Sequence, residues 1–186
     1  MLIVRSGSTA AATTSGVSVL AHSSAGFKVK HLMSKTAGHF QDFSGSFTFD
    51  DSNHKNFKGA FVIKTASIFT NQPKRDAHLK SADFFDVEKH PEITFNPREF
   101  KQAGKGRYKL TGDMAMHGVT KAVTFDVEYL GGGKDPWGNE KVGFTASTKI
   151  NRKDFGLTWN KVLETGGLLV GEEVEIEVQV EADAQK

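Results

Sequence analysis

No cysteine occurs anywhere in this chain. That one absence excludes disulfides, thiolate nucleophiles and thiolate metal sites together. It leaves both reducing and oxidising compartments open. Long apolar runs are also missing: none approaches the roughly 18 residues that a membrane-spanning helix needs. Nor is there an excess of one charge, since 24 basic residues are interspersed with 22 acidic ones for a net +2. Without a basic face or stripe, nucleic acid is excluded as the main partner. The signatures of nucleotide and hydrolase chemistry are absent too. Gly131-Gly132-Gly133-Lys134 runs into Asp135 rather than Ser or Thr, so it is a turn and not a phosphate loop. There is no G-x-S-x-G elbow and no H-E-x-x-H. The seven histidines show none of the close spacings that align two ligands on one element, so no metal and no cofactor is assigned.

Phenylalanine is abundant, with 15 Phe against two Tyr and two Trp. Many of these rings fall in period-two alternation, the pattern of half-buried strands. Phe43, Gly45, Phe47 and Phe49 alternate with Ser44, Ser46 and Thr48, and Phe57, Gly59, Phe61 and Ile63 with Lys58, Ala60, Val62 and Lys64. Tyr108, Leu110, Gly112, Met114 and Met116 share a face, as do Val123, Phe125, Val127 and Tyr129. Val142, Phe144, Ala146 and Ile150 repeat the pattern, and Val174, Ile176, Val178 and Val180 close it against a solvated Glu173–Glu181 face. With Phe27/Val29 and Ile93/Phe95 the count reaches eight or so. One-sided strands in succession specify an antiparallel sheet. Turns are expected at Asp50–Asn53, Gly131–Gly133, Asp135–Gly138 and Gly166–Gly167. Gly45, Gly59 and Gly112 are expected as bulges or bends that let the sheet curl shut. The fold expectation is therefore all-β, an eight-stranded antiparallel barrel. A barrel of that size is either filled or holds one ligand. Residues 1–16 read as a flexible N-terminal tail, 17–182 as one domain and 183–186 as a short C-terminal tail. The tail is a poor secretory signal, so the chain as given is expected in the cytoplasm, or in the periplasm if a signal was removed.

Helix is expected in few places, chiefly Arg75–Ser81, with a second helical turn near Met33–Ala37. The first lies in Arg75-Asp76-Ala77-His78-Leu79-Lys80-Ser81-Ala82-Asp83-Phe84-Phe85-Asp86, followed by His90-Pro91-Glu92-Ile93-Thr94-Phe95. A charged, helix-capable segment with Leu79 and a Phe84-Phe85 pair, set between strands, is how a lid over an apolar mouth is written. Arg75 and His78 would place donors near a polar head group, with Thr70 and Asn71 adding neutral contacts. The alternative has Arg75 and Asp76 holding the loop, with Phe84 and Phe85 as a plug. The candidate apolar lining is Phe27, Val29, Phe47, Phe61, Ile63, Leu79, Phe84, Phe85, Ile93, Phe95, Leu110, Met114, Met116, Phe125, Phe144 and Ala146. Met114 and Met116 also read as ordinary core, although their thioethers adapt to variable ligands. Arg152, ahead of Asp154-Phe155-Gly156, is expected in a structural ion pair at a strand end.

Four blocks carry a resemblance. They are His22-Ser23 through Phe27-Lys28-Val29-Lys30-His31-Leu32-Met33, then Ser67 through Phe95, then Gly112-Asp113-Met114 with His117-Gly118-Val119-Thr120-Lys121, and finally Ile150-Asn151-Arg152-Lys153-Asp154-Phe155-Gly156. Together, across residues 17–182, they resemble the YceI-like polyisoprenoid-binding family. The chain departs from its pattern at Val17–Ala21, where the family often carries Trp-x-Ile-Asp. The resemblance implies a lipocalin-like barrel with a tunnel for an isoprenoid chain, such as a polyprenyl diphosphate or a quinone tail.

The leading expectation is thus a non-enzymatic protein that binds, carries or sequesters a long isoprenoid lipid. The alternative is a barrel enzyme acting on a small apolar substrate with His78 or His31 as acid or base. A barrel that is simply filled is a third reading. A homodimer is left open.

Overall fold

The computed structural model describes residues 12–14, 23–49, 57–164 and 168–183. Within them lie eleven strands in one antiparallel sheet: β1 (Ala12–Thr14), β2 (Ser24–His31), β3 (Ser34–Phe40), β4 (Phe43–Phe49), β5 (Lys58–Lys64), β6 (Ile68–Phe69), β7 (Glu92–Gly104), β8 (Arg107–Met116), β9 (Val119–Lys134), β10 (Glu140–Asn151) and β11 (Val170–Asp183). Among the described residues one α-helix, α1 (Pro73–Lys80), sits between β6 and β7. The sheet order is β1-β4-β5-β7-β8-β9-β10-β11-β2-β3-β6.

That sheet curls back on itself. Where β3 turns into β4, the Gln41 N–H donates to Ser67 O, and the Lys64 N–H donates to Asp42 O. The β3–β4 corner is therefore stitched to the β5–β6 segment, and the inner faces of the strands look onto one interior. Curling by hydrogen bonding leaves few open strand edges, which a flat sheet would expose.

The expected all-β antiparallel architecture is present, with a different strand count. The eight alternating runs correspond to β2, β4, β5 and β7 to β11. The additional members are the short β1 and β6 and the seven-residue β3. β3 occupies the stretch where a second helical turn near Met33–Ala37 was expected. Its pairing of Lys30 with Lys35 and His31 with Ser34 makes a two-residue hairpin through Leu32-Met33 instead. Gly131–Gly133 is likewise not a turn but lies inside β9, opposite Lys141, Val142 and Gly143. The turn expected at Asp135–Gly138 is present, where the Asp135 carboxylate accepts from the Trp137 and Asn139 N–H groups. The expected turns at 50–53 and 166–167, most of the N-terminal tail and the stretch at 17–21 lie outside the described residues. Three residues of that tail segment, Ala12–Thr14, pair with β4.

Of the strand glycines expected at bulges or bends, Gly112 lies opposite a register break, between Pro97 and Glu99, whereas the β4–β5 pairing runs unbroken past Gly45 and Gly59. Register breaks fall at Pro97/Glu99, Gln102/Gly104, Gly143/Phe144 and Val170/Val174. Gly45 and Gly112 also lie beneath aromatic rings. A Cβ on Gly45 would stand 2.4 Å from Phe61 Cδ1, and one on Gly112 only 2.7 Å from Phe95 Cζ and 2.5 Å from Asn96 O. Phe61 and Phe95 both face the interior, so the missing Cβ atoms set where two wall rings lie.

Gly112→Val should therefore destabilise the protein by about 2 kcal/mol, because neither the Asn96 carbonyl nor the Pro97 backbone can yield cheaply. Equilibrium urea unfolding checks this, and an unchanged midpoint would refute the packing argument.

Candidate ligand-binding cavity

The inner side chains of the sheet do not meet across its centre. They surround a cavity of about 560 Å³, within the ~300–1,000 Å³ range of small-molecule sites. Ile93 and Phe100, seven positions apart on β7, both line it, which gives an extent of roughly 23 Å along the strand. At the end away from α1 the wall is aromatic. Phe57 stacks on Phe100 at 4.5 Å, Phe100 on Tyr108 at 4.6 Å, and Phe47 meets Phe144 edge-on at 5.6 Å. Such offset and edge-to-face pairs fix ring positions beyond what burial alone would do.

The lid closes the other end. Gln72 caps α1 by accepting from the Arg75 N–H, and Pro73 opens the helix where its missing N–H costs nothing. This start lies two residues before the expected one. Buried Asp76 accepts from both the N–H and the hydroxyl of Thr70. Arg75 donates through Nε to Thr70 Oγ1 and through Nη2 to Thr70 O, each at 2.7 Å. A guanidinium has five N–H donors, so Arg75 both holds the loop and keeps donors that can serve a ligand. After α1 the chain doubles back, with the Phe85 N–H donating to Leu79 O and Asp86 at φ 44°. This presents Leu79, Phe84 and Phe85 to the interior, and Phe85 meets Phe40 edge-on at 5.9 Å.

Every apolar residue expected to face inward lines this cavity: Phe27, Val29, Phe47, Phe61, Ile63, Leu79, Phe84, Phe85, Ile93, Phe95, Leu110, Met114, Met116, Phe125, Phe144 and Ala146. Of the expected polar mouth, Thr70, Arg75 and His78 line it, whereas Asn71 is exposed and outside the lining. Sequence reasoning did not select Phe40, Phe57, Phe100, Leu157, Trp159 or Arg152, which also form the wall. Phe57 carried a signal through its alternation. Trp159 lies in an irregular segment and carried none.

Trp159 joins the lid to the barrel. Its ring meets His78 edge-on at 4.8 Å and Phe84 at 5.2 Å. His78 in turn shares a 2.8 Å hydrogen bond between Nε2 and the Asp83 carboxylate. Behind Trp159 sits Arg152, only 3% exposed. The expected ion pair for Arg152 is not formed. Its guanidinium donates instead to Leu157 O (2.6 Å), Trp159 O (2.9 Å) and Gly171 O (2.8 Å), with Val170 O at 3.5 Å. Burial pushes this guanidinium below its ordinary pKa, and Glu172 opposes that only in part, since its carboxylate is engaged by Lys153 and Asn151. Among the described residues, the ionisable side chains that line the cavity are His31, Lys74, Arg75, His78 and Arg152, with no carboxylate. No three His, Asp or Glu side chains converge as a metal site among the described residues, and no helix there is long and apolar enough to cross a membrane.

The model of the YceI-like domain matches residues 18–182. The chain belongs to the YceI-like family. Among its relatives, a UPF0312 protein of Photorhabdus laumondii is 48% identical over 72% of this chain and 70% of its own. Another, from Pseudomonas putida strain GB-1, is 40% identical over 89% of this chain and 83% of its own. Of solved structures, the Campylobacter jejuni YceI protein superposes with a TM-score of 0.72 at 32% identity, covering 84% of this chain and 90% of that one. Burkholderia cenocepacia BcnA gives 0.77 at 24% identity over 86% and 96%. A domain from Saccharophagus degradans, described as polyisoprenoid-binding, gives 0.64 at 14% identity over 91% and 98%. These last two share the fold.

Arg152→Met should cost about 3 kcal/mol, since it strands three carbonyls that now accept short, charge-assisted bonds. Urea unfolding followed by Trp159 fluorescence reads this directly. A loss below about 1 kcal/mol would mean that the carbonyls find other partners.

Proposed function

We propose that this protein binds one long isoprenoid lipid, of polyprenyl or quinone type, inside the cavity, and carries or sequesters it. The observation that carries this reading is the polarity of the cavity along its length. An apolar, ring-lined interior ends at a mouth whose cavity-lining ionisable side chains, among the described residues, are all basic, with Asp76 and Asp83 behind them. A long tail would lie against Phe95, Phe125 and Phe100, with its polar end beside Thr70, Arg75 and His78. The basic mouth favours an anionic end such as a phosphate or diphosphate over a neutral quinone ring, because charge-assisted bonds to a guanidinium are the stronger kind. Membership of the YceI-like family, and the polyisoprenoid-binding description of the Saccharophagus domain, support the ligand class. No side chain is assigned a catalytic role in this reading.

Burying apolar carbon contributes about 0.8 kcal/mol per CH₂-sized group. A fully buried forty-carbon chain would then pass the practical affinity limit of about 18–21 kcal/mol, so ordering of the tail and incomplete burial must offset much of it. Affinity should still rise at least tenfold between fifteen- and forty-carbon prenyl diphosphates in isothermal titration. Equal binding of the two would sink the tunnel. Ala146→Trp, which sets an indole into the cavity from β10, should abolish uptake in native mass spectrometry while leaving the fold intact by circular dichroism. Uptake by the folded variant would show that the ligand does not pass Ala146. Arg75→Ala should weaken a prenyl diphosphate roughly tenfold and the matching prenol little, in line with the loss of about 1.5 kcal/mol from one charged hydrogen bond.

A further inference from the structure

The hairpin turn between β2 and β3 is built from residues that turns normally avoid. Two-residue hairpin turns favour Gly, Asn and Asp, because a central position needs positive φ. Here the two positions hold Leu32 and Met33, and Leu32 takes φ 52°. A bulky side chain in that region is strained. Side-chain burial offsets little of the strain, since Met33 is 103% exposed and Leu32 47%. Strain of this kind points towards function when it is observed at a rim or clamp.

The turn is part of a larger ridge. The Leu32 N–H donates to Leu169 O at 3.0 Å, and His31 pairs with Val170. Beside them Val162 bridges to Leu168, and these are 72% and 44% exposed. Four large apolar side chains from two segments thus stand together in solvent. Their immediate neighbours His31, Leu169 and Val170 line the cavity, as does Trp159 just before the Val162 strip. The ridge is therefore the outer lip of the mouth. Leu130 and Trp137, also exposed, lie near the opposite end of β9 and do not belong to it.

We infer that this lip docks the mouth of the cavity onto the surface of an anionic lipid bilayer. Exposed apolar side chains that flank an apolar cavity match the acyl boundary of a bilayer. The charge around them fits an anionic surface. Exposed Lys30 and Lys161 form no ion pair with another described residue, and Lys74 stands on the lid side of the same mouth. Lys35, opposite Lys30, is held by Glu175, and Glu164 in the Val162 segment offsets one of these charges. Docked this way, the apolar tips enter the interface and the lid faces the membrane. A lipid then passes between bilayer and cavity without crossing water. The inference draws its purpose from the carrier reading above, but vesicle binding can be measured apart from uptake.

The test is flotation of the full chain with phosphatidylcholine vesicles containing one-third phosphatidylglycerol, alongside pure phosphatidylcholine. The wild type should float with the anionic vesicles, and the bound fraction should fall severalfold in half-molar salt. Met33→Asp with Val162→Asp should lower the partition coefficient at least tenfold, with the unfolding midpoint unchanged and uptake of a prenyl diphosphate from detergent-free solution retained. A wild type that ignores both vesicles, or a double variant that floats equally, overturns the inference. So does a wild-type dimer that Met33→Asp splits, because the lip is then an interface between copies. Uptake without vesicle binding removes docking and leaves the carrier reading standing. Vesicle binding by a protein that takes up no prenyl lipid supports docking and removes the carrier reading instead.

Discussion

Around the guanidinium of Arg152, two stretches of backbone are held together. One is the Leu157–Trp159 segment, and the other is Val170–Gly171 at the start of β11. Taking a charge out of water is costly unless its donors are met. Here they are met chiefly by the carbonyls of Leu157, Trp159 and Gly171, while Val170 O also accepts from Asn160. The arrangement is reciprocal, so it is all or nothing, and it fixes Trp159. Trp159 in turn supports His78 and Phe84 of the lid. The same segment leads into the Val162–Leu168 bridge of the lip. Lid, mouth and lip are thus built outward from one buried cation.

The interior imposes the opposite constraint. Protein cores are packed to crystalline density, and cavities cost about 24 cal/mol per Å³. At that rate a sealed and empty space of about 560 Å³ would cost about 13 kcal/mol, as much as the net stability of a typical domain at about 5–15 kcal/mol. A stable barrel of this shape is therefore one whose interior is reached by water or occupied by something apolar. Water is a poor occupant among Phe, Leu and Met, which offer it few hydrogen bonds. The energetics favour an apolar guest, and its presence would raise stability by linkage.

Much of this was legible in the sequence because antiparallel strands with one wet face write their orientation in every second residue. β8 to β11 are of this kind, and so the inward side chains from Leu110 to Ala146 were assigned to the correct face. β3 was not legible. Its inward positions are Thr36, Gly38 and Phe40, two of them without apolar bulk, and Gly38 is small because the Phe27 ring lies across it. The lid was visible from its composition, yet the first turn depends on Gln72 and Pro73, which lie ahead of the charged run. Arg152 was read as half of an ion pair because nearby Asp and Glu residues are the usual partners of arginine. Nothing local announces that the partners are carbonyls from positions 157, 159 and 171. His90 and His117, 27 residues apart in the chain, come within 4.7 Å between ring centroids. No spacing rule could have paired them, because β7 and β8 bring them together only when the sheet is formed.

A carrier of long lipids meets a kinetic problem that its cavity alone does not solve. Bilayer and cavity are both apolar, so the net free energy of moving a tail between them is small. The path through water is not small. At about 0.8 kcal/mol per CH₂-sized group, exposing even half of a forty-carbon chain would raise a barrier of about 16 kcal/mol. Depth of the cavity makes this worse, because a longer buried tail has more to expose. Docked as proposed, the lip would place apolar side chains, and not a hydrated rim, between the two apolar phases. On that reading the strain at Leu32 and the exposure of Met33 answer the same requirement as the depth of the cavity. A tail that can be held only by full burial can be exchanged only where burial is continuous.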